Sequence, residues 1–507
     1  MSSKRNTAIV LLASGLLTGA GQAAPQADWE MVARIREEGF QRSQLADTLS
    51  YMTDVLGARL TVSPGMRRAQ RWAIGEMERI GLTNIEIEPF MDYGISWSNE
   101  YASLHMMEPD YQPMVGYPLS HTPGTDGRQE LQVAIADTRA RAELEALRGT
   151  LAGKAVLSTP PAAIDLARLN AGVLPRTAEE LSELEQVVPV TPRSRPAPGP
   201  DDMTEEARMA FFKSEGVEVV LESRSGWPGA VRGFARPGTK VDRWARQESL
   251  DSLPIVAVTP EHYNRMHRVL RRGIEVAVQI EVRNTIGEEI QQAANVLAEI
   301  EGSDLADEVV MLGAHFDTWH ASPNASDNTS GVAVMLEAAR ILKALEVQPR
   351  RTIRVALWSG EEQGLHGSTE YVRQHFGSPE SGTLPAYEKL SVYFNQDYGP
   401  GKYRGIYLQG NEHVRRMFTA WMEPFHDLGM TTISPRGVGS TDHVPFDRAG
   451  LPGFQFLQDR AGSTGGHTNM DFFDTLPIGD LKHNAVVVAA FVYHSAMADE
   501  RIPRKGR

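Results

Sequence analysis

The length, composition and charge of the chain exclude several classes of protein. Its 507 residues are too many for one ordinary hydrophobic core, which indicates two domains or one large domain with an insertion. With 41% hydrophobic and 23% charged residues, the composition is that of a globular protein and not of a fibrous or disordered one. A net charge of -14 argues against nucleic acid as the main partner, because a duplex-binding protein needs a basic surface.

The sequence contains no cysteine, which limits the chemistry further. Disulfides, thiolate metal sites and cysteine nucleophiles are all excluded. Any metal ion must therefore be bound by histidine, aspartate and glutamate side chains.

The first 24 residues have the three-part pattern of a secretory signal peptide. Lys4 and Arg5 precede an apolar run from about residue 8 to residue 17, and small residues follow up to Ala24. The run is shorter than the roughly 20 residues of a membrane-spanning helix, so a membrane anchor is the weaker interpretation. We therefore expect residues 1–24 to be a signal peptide and the protein to be secreted or periplasmic, without a membrane span.

The next two parts of the chain differ in their local patterns. Residues 28–50 have helical periodicity, and residues 84–90 alternate between apolar and polar as a half-buried strand does. From residue 116, proline and glycine interrupt short β-branched runs, and residues 187–202 are a proline-rich loop. We predict that residues 25–115 are the first part of a catalytic domain and that residues 116–288 are a β-rich insert.

Residues 289–507 alternate strands with helices and are predicted to be the metal-binding part of the catalytic domain. The sequence pattern predicts strands at 308–315, 352–359, 389–396 and 453–457, and helices at 331–345, 368–376, 413–428 and 480–498. This alternation predicts an α/β fold, a mostly parallel sheet sandwiched by helices on both faces. In such sheets, ligands bind beyond the carboxyl ends of the strands.

Histidine and carboxylate side chains follow these strands one after another. They are His315, Asp317 and Asp327 after the first strand, Glu361 and Glu362 after the second, Asp397 after the third and His467 after the last. Since the carboxyl ends of parallel strands meet at one edge of a sheet, we expect these side chains to converge. Two histidines and several carboxylates are typical ligands of an open, catalytic Zn²⁺ site.

The number of these ligands indicates two metal ions. One tetrahedral zinc ion needs fewer ligands than the set provides, so two ions would share a bridging carboxylate, a role that suits the central Asp327. The adjacent Glu361 and Glu362 point in different directions, so one can bind metal while the other acts as a general base. The chemistry indicated is hydrolysis.

Six motifs in this order resemble those of the M28 family of co-catalytic zinc peptidases. They are HFDTW, ASDNTSGV, LWSGEEQGLHGS, NQDYG, STDHVPF with the following GLPGF, and HTNMD. With an insert before the metal-binding half, the chain is most similar to the branch of plasma glutamate carboxypeptidase and its bacterial relatives. The resemblance covers most of residues 28–500 and implies a phosphorylase/hydrolase-like α/β domain with a protease-associated insert.

The resemblance also implies a role for each residue of the set. His315 and Asp397 would bind one zinc ion, Glu362 and His467 would bind the other, and Asp327 would bridge them. Glu361 would be the general base, and the Asp317 carboxylate would orient the His315 imidazole, as outer partners of metal-bound histidines do. In this family, the peptide bond that corresponds to Asp327–Asn328 is often cis.

Each of these residues also has a structural interpretation. A histidine at a strand end, acids at a helix entry and an aspartate in a turn are all common without a metal, so only the agreement of all positions favours the metal site. The loop with His320 and Asn324 departs from the family pattern, which leaves the specificity open. The remaining candidates are Trp319 and Tyr398 as pocket walls, residues 440–443 as a pocket border, Asp471 as a local hydrogen-bond partner in the His467 loop, and His483 and His494 as structural residues.

The sequence thus predicts an exported exopeptidase with two Zn²⁺ ions per chain. It would hydrolyse a peptide or dipeptide by a metal-bound water, with Glu361 as the base, and aminopeptidase, dipeptidase and carboxypeptidase specificity all stay open, as does a homodimer. One alternative is a hydrolase or cyclase that acts on another amide. A second alternative is a non-catalytic, metal-stabilised binding domain, which Glu361 disfavours because such a domain would not need that carboxylate.

Overall fold

The computed structural model describes residues 26–164, 173–188, 199–224, 226–236, 245–461 and 466–506. The predicted signal peptide, residues 1–24, lies outside these ranges. No helix within them is long and apolar enough to cross a membrane.

Thirteen α-helices and eighteen strands lie in the described ranges. The helices are α1 (Trp29–Gln41), α2 (Leu45–Ser50), α3 (Pro64–Ile80), α4 (Arg141–Glu145), α5 (Ala178–Leu184), α6 (Glu205–Ser214), α7 (Arg246–Asp251), α8 (Pro260–Leu270), α9 (Ser330–Ala344), α10 (His366–Tyr371), α11 (Arg415–Met422), α12 (His443–Arg448) and α13 (Ile478–Met497). The strands are β1 (Thr83–Glu108), β2 (Gln112–Met114), β3 (Gly116–Pro118), β4 (Gln129–Ile135), β5 (Ala155–Leu157), β6 (Val173–Leu174), β7 (Val219–Glu222), β8 (Ile255–Val258), β9 (Ala277–Ile300), β10 (Leu305–His315), β11 (Arg351–Trp358), β12 (Gly377–Ser378), β13 (Gly382–Thr383), β14 (Leu390–Asn395), β15 (Tyr403–Tyr407), β16 (Thr432–Ser434), β17 (Gly453–Gln458) and β18 (Arg460–Ala461).

Four parallel strands form the centre of the catalytic half. β10 pairs in parallel with β11 and β14, and β14 pairs in parallel with β17. The sheet becomes mixed further out, since β9 is antiparallel to β11 and β15 is antiparallel to β17. The four central strands confirm the four strands predicted from apolar runs. His315 at the end of β10 lies opposite Trp358 at the end of β11, so both connecting loops leave the sheet at the same edge.

Successive side chains of the central strands enter separate cores on the two faces of the sheet. Along β11, Val355 and Leu357 join a core with α1, α9 and α13, whereas Ala356 and Trp358 join a core with α10 and α12. Because neighbouring residues of a strand point to opposite faces, a strand that is covered on both sides has apolar residues at consecutive positions, as β11 does from Val355 to Trp358. The predicted sheet with helices on both faces is confirmed.

The predicted insert surrounds the outer halves of two long strands. Its strands β4, β5, β7 and β8 pair in parallel, and they share apolar clusters with residues of β1 and β9. The segment predicted to be β-rich also contains helices α4 to α8, because amphipathic stretches such as α6 pack Phe211 and Phe212 against this sheet. β1 and β9 run without interruption into the catalytic sheet. The boundaries at residues 115 and 288 stay predictions.

Three predicted helices are interrupted or shorter in the structure. The helix predicted at residues 368–376 is α-helical only as far as Tyr371, the end of α10, and a π-helical turn over Val372–Phe376 follows. The helix predicted at residues 28–50 is divided into α1 and α2, and Ser43 between them accepts the backbone N–H of Leu45 through its hydroxyl oxygen. The helix predicted at residues 413–428 is α-helical only in α11, and a 3₁₀ turn that begins next to Pro424 follows it. Proline has no backbone N–H to continue the α-helical pattern.

Candidate metal centre

The loops that follow the central strands carry the predicted side chains to one edge of the sheet. His315 is the last residue of β10, and Asp397 lies just beyond the end of β14. Glu361 and Glu362 follow β11 after a turn, and His467 lies in the loop that precedes α13. The structure therefore brings together side chains that are far apart in the sequence.

Two groups of side chains share the Asp327 carboxylate. Nε2 of His315 lies 3.2 Å from one oxygen of Asp327 and 3.7 Å from an oxygen of Asp397. Nε2 of His467 lies 3.1 Å from the other oxygen of Asp327 and 2.8 Å from an oxygen of Glu362. Within each group, the candidate ligand atoms all lie within 4.8 Å of one another. This geometry fits two adjacent metal positions with Asp327 between them.

Unpartnered polar atoms support a metal ion at each position. Nδ1 of His315 donates to the backbone carbonyl of Asp317 at 2.9 Å, so the lone pair of the neutral ring is on Nε2. This Nε2 and Oε1 of Glu362 are both buried without a hydrogen-bond partner. A buried polar atom without a partner is costly, and coordination of a cation removes that cost. The nitrogen and oxygen donors are those that a catalytic zinc site uses.

The electrostatics of the centre also favour a cation. Burial raises the pKa of Glu362 to about 7. Burial lowers the pKa of His467, but the carboxylates of Glu362 and Asp327 outweigh this effect and raise that pKa to about 10. The buried carboxylates therefore require positive charge nearby, which a divalent cation can supply in place of protons.

The backbone around Asp327 is fixed by a distant carboxylate. Asp327 lies directly before α9 at a kink where Asp327 and Asn328 have non-helical φ/ψ angles, and the Asp327–Asn328 peptide bond is cis as the resemblance implied. The Asp471 carboxylate accepts the backbone N–H of Ser326 at 2.8 Å and that of Asp327 at 3.2 Å. Asp471 thus makes a longer-range contact than the local one predicted, and it connects two loops of the centre.

The Asp317 carboxylate makes contacts that differ from those predicted. Its oxygen lies 3.9 Å from Nδ1 of His315, which is beyond hydrogen-bond distance. Instead, the two carboxylate oxygens accept the backbone N–H groups of Glu361 and Glu362 at 3.1 and 3.2 Å, and the Thr61 hydroxyl donates to the carboxylate as well. The reason is that Nδ1 of His315 already donates to the backbone carbonyl of Asp317. The carboxylate of Asp317 therefore binds the backbone of the two glutamates, and its backbone carbonyl binds the imidazole.

Glu361 lies beside the centre without belonging to either ligand group. One of its carboxylate oxygens is 3.9 Å from Nε2 of His315. Burial raises the pKa of Glu361 well above its usual value, and the neighbouring carboxylates of Asp397 and Asp442 add to this effect although His315 opposes it. A carboxyl group in this position is a candidate to accept and return a proton.

The centre opens into a cavity of about 940 Å³. Apart from the predicted ligands, its walls include Trp227 and Arg232 from the insert, together with Tyr398 and Arg448. Tyr398 was predicted as a pocket wall, and this is confirmed. Trp227 and Arg232 were not predicted, because no motif surrounds them and their segment reaches the centre only through the tertiary fold.

Ser440 lines the cavity, which confirms the predicted pocket border at that residue, whereas Trp319 is not among the described residues of the cavity wall, so its prediction as a wall was wrong. The other candidates make mainly structural contacts. Trp319 packs against the ring of His467 with 6.5 Å between the ring centroids. Asp442 is buried and accepts a hydrogen bond from a serine hydroxyl. His483 and His494 on α13 are buried and hydrogen-bond to backbone groups, which agrees with the structural role predicted for them.

A comparison with known proteins identifies the domain that carries this centre. Residues 295–492 match the sequence model of peptidase family M28. The chain contains an M28 peptidase domain. The matched range includes every predicted ligand and both predicted catalytic residues, and the chain is a metallopeptidase.

The relatives of this chain match it well beyond the M28 domain. Carboxypeptidase Q of Mus musculus is 24% identical over 473 residues, which cover 92% of this chain and 88% of that protein. A peptidase M28 precursor from Shewanella amazonensis SB2B has a TM-score of 0.68 at 21% identity and covers 94% of this chain and 99% of that chain. The zinc aminopeptidase BSAP from Bacillus subtilis has a TM-score of 0.56 at 19% identity, with 91% and 96% covered. The chain shares the fold of these solved structures.

Proposed function

We propose that this M28 chain is a di-zinc exopeptidase that hydrolyses peptides or dipeptides. The observation that carries the proposal is the pair of ligand groups that share Asp327 beside an open cavity. In this proposal, His315 and Asp397 bind one ion, Glu362 and His467 bind the other, and Asp327 bridges the two. Zinc is supported by the donor set and by the relative BSAP, which is a zinc aminopeptidase.

The residues of the chain carry out the proton transfers of this reaction. Two zinc ions bound at the centre supply Lewis acidity that polarises the scissile carbonyl and lowers the pKa of water. Glu361 accepts a proton from the attacking water and returns it to the leaving amine. Asp317 keeps Glu361 and Glu362 in their separate roles, because it binds both backbone N–H groups at once.

The substitution Glu361→Gln tests this proposal, because glutamine keeps the shape of the side chain but cannot accept the proton. We expect E361Q protein to retain two zinc ions per chain by elemental analysis and to lose roughly 10²- to 10⁴-fold in dipeptide turnover. Asp327→Ala should lose both turnover and metal, since it removes the shared ligand. Glu380→Gln, at an exposed loop residue, is the matched control and should change neither quantity.

Each result of this test separates the alternatives. Full activity of E361Q protein would refute the role of Glu361 as the base, and one zinc ion per chain would refute the metal pair. Turnover of a non-peptide amide without turnover of any dipeptide would favour the alternative hydrolase or cyclase. Tight zinc binding without turnover of dipeptides, aminoacyl reporters or other amides would favour a binding domain.

A further inference from the structure

One arginine is fully buried next to the loops of the metal centre. Arg59 has an exposed fraction of 0%, and it lies in the connection between α2 and α3, far from every predicted ligand in the sequence. It belongs to none of the six motifs, and it precedes the range that matches peptidase family M28. A buried arginine is rare unless its charged group has partners, so the contacts of this side chain indicate its role.

The guanidinium of Arg59 connects two loops that carry predicted metal ligands. Its Nε donates to the backbone carbonyl of Phe316 at 2.8 Å, and Phe316 directly follows His315. A terminal nitrogen donates to the hydroxyl oxygen of Thr329 at 2.7 Å, and Thr329 lies two residues after Asp327. We call these two hydrogen bonds the Arg59 tether. It fixes the end of β10 relative to the segment that enters α9.

The arginine itself is held in place by several further contacts. Its backbone N–H donates to the Thr318 hydroxyl oxygen at 2.9 Å, and its carbonyl accepts the N–H of Thr318 at 3.2 Å. The other terminal nitrogen donates to the carbonyl of Gly57 at 3.0 Å. The guanidinium carbon lies 5.6 Å from the centroid of the Phe316 ring. The tether is therefore anchored at a fixed point.

The charge of Arg59 is balanced only at longer range. Within the described part of the chain, each hydrogen bond of the side chain goes to a neutral oxygen, and no carboxylate forms an ion pair with it. Burial lowers the pKa of Arg59 to about 10, which leaves it charged at neutral pH, and the Asp317 and Asp471 carboxylates oppose this effect of burial. A buried charge is costly unless hydrogen bonds satisfy it. Because the ligand loops supply two of the three acceptors, their positions and that of the guanidinium depend on each other.

The tether acts on one ligand group more directly than on the other. His315 belongs to a single group, and Asp327 is shared by both. Among the described residues, the Arg59 side chain makes no hydrogen bond to the loops that carry Glu362 and His467. Loss of the tether should therefore move His315 relative to Asp327 and leave the other pair of ligands nearly in place.

We propose that Arg59 is a positioning residue that ties His315 to the bridging Asp327, so that it determines how tightly the ion at His315 and Asp397 is bound. This inference rests on the proposed di-zinc function and deepens it. The ion at Glu362 and His467 depends on Arg59 much less, since those ligands lie outside the tether. Arg59 contacts neither substrate nor metal, and it acts only through the two loops.

The substitution Thr329→Val tests the tether without changing the arginine. Valine keeps a branched side chain but has no oxygen to accept the hydrogen bond, whereas Thr329→Ser keeps the hydroxyl and is the matched control. Competition against a chromogenic chelator measures the Kd of each zinc ion. We expect T329V protein to bind one ion about 10- to 100-fold more weakly and the other nearly as the wild type does. T329S protein should bind both ions within about twofold of the wild type.

A second pair of variants changes the arginine and controls for stability. Arg59→Lys keeps the charge but replaces three separate donor nitrogens with one, so it should weaken the same ion. Arg351, at the start of β11, is also buried, and its guanidinium donates to the carbonyls of Ser495 and Asp499 near the end of α13. Arg351→Lys should lower the free energy of unfolding, measured with urea, without changing either zinc Kd.

Single-site backgrounds show which ion depends on the tether. His315→Ala leaves the ion at His467, and adding T329V should not change the Kd of that ion. His467→Ala leaves the ion at His315, and adding T329V should weaken it about 10- to 100-fold. The comparison needs no turnover, because it measures metal binding alone.

The possible results separate this inference from the proposed function. Equal weakening of both ions, an equal zinc loss in R351K protein, or unchanged zinc binding in T329V protein would overturn the inference. If the wild type binds a single ion, and T329V but not T329S weakens it, the result counts against the metal pair and leaves the tether intact. Selective weakening in a wild type that binds two ions but cleaves no dipeptide would count against the peptidase function alone.

Discussion

The substitution Asp471→Asn tests how strongly the centre depends on the backbone around Asp327. The Asp471 carboxylate accepts N–H groups from Ser326 and Asp327 at 2.8 and 3.2 Å. Asparagine keeps one acceptor oxygen, but its amide group faces the second N–H with another donor. The loss is one hydrogen bond to a charged acceptor, worth about 2 kcal/mol. Because the same backbone holds the bridging carboxylate, a similar energy should appear as roughly 30-fold weaker metal binding, within the range for outer partners of metal ligands.

The assay for D471N measures both quantities on the same protein. Burial raises the pKa of Asp471 to about 7, so measurements at pH 8 keep the wild-type carboxylate ionised. Urea denaturation of chelator-treated protein gives the free energy of unfolding, and zinc competition against a chromogenic chelator gives the metal affinity. Asp474→Asn, at an exposed residue of the same loop, is the control. Zinc affinity within twofold of the wild type, with unchanged unfolding free energy, would refute this reasoning.

Three further changes test other parts of the structure. Asp317→Asn should lower kcat roughly 10- to 100-fold with little change in KM, because it loosens the backbone of the two consecutive glutamates. Gly466→Ala should weaken zinc binding at least about 10-fold, since the added Cβ would lie 2.2 Å from an Asp327 oxygen. His483→Gln should reduce the acid sensitivity of the fold. Burial lowers the pKa of His483 to about 4, so only the unfolded chain takes up its proton between pH 6.5 and 4, and the wild type loses about 3 kcal/mol of unfolding free energy there that the variant keeps.

Each of these changes has a control that differs only in position. Gly439→Ala adds a Cβ that meets nothing within 4 Å and should bind zinc normally, so an equal effect at both glycines would contradict the steric argument. His426→Gln, at an exposed histidine, should leave the pH dependence of unfolding as it is in the wild type. For Asp317→Asn, a rise in KM with unchanged kcat would contradict a positioning role. The D474N protein serves as its control as well.

In the catalytic half, the sequence predicts some elements well. These are the helices and strands that form because of their own residues and not because of distant pairing partners. β11 and β14 are buried along almost their whole length because both faces of the sheet are covered. Their consecutive apolar residues, at 355–358 and 392–394, are visible without any tertiary information. β15 was not predicted, since its sequence YRGIY contains arginine and glycine and follows a Gly-Pro-Gly turn. It is a strand because it pairs with β16 and β17, and those pairings exist only in the folded protein.

The same distinction applies to the candidate site. Side chains that follow parallel strands, such as His315 and Asp397, could be expected at one edge from topology alone. The contact of the Asp317 carboxylate with the two glutamates could not be expected. Whether the carbonyl or the carboxylate of Asp317 accepts the hydrogen bond from His315 depends on local backbone geometry. Arg232 gave no signal at all, since it lies in a glycine-rich segment of the insert and 235 residues separate it from His467 in the chain. The ligand roles themselves stay predictions that the metal analyses test.

The pairing of β1 with β9 determines when this protein can fold during its synthesis. Thr83 at the start of β1 bonds to Glu299, 216 residues further along the chain. A ribosome that has released β1 must still translate the whole intervening module before the partner strand emerges, and contacts of such long sequence separation form slowly. Until then, β1 leaves unpaired backbone groups along 26 residues, which is a template for aggregation. The nascent polypeptide can therefore complete this part of its sheet only after β9 has been synthesised.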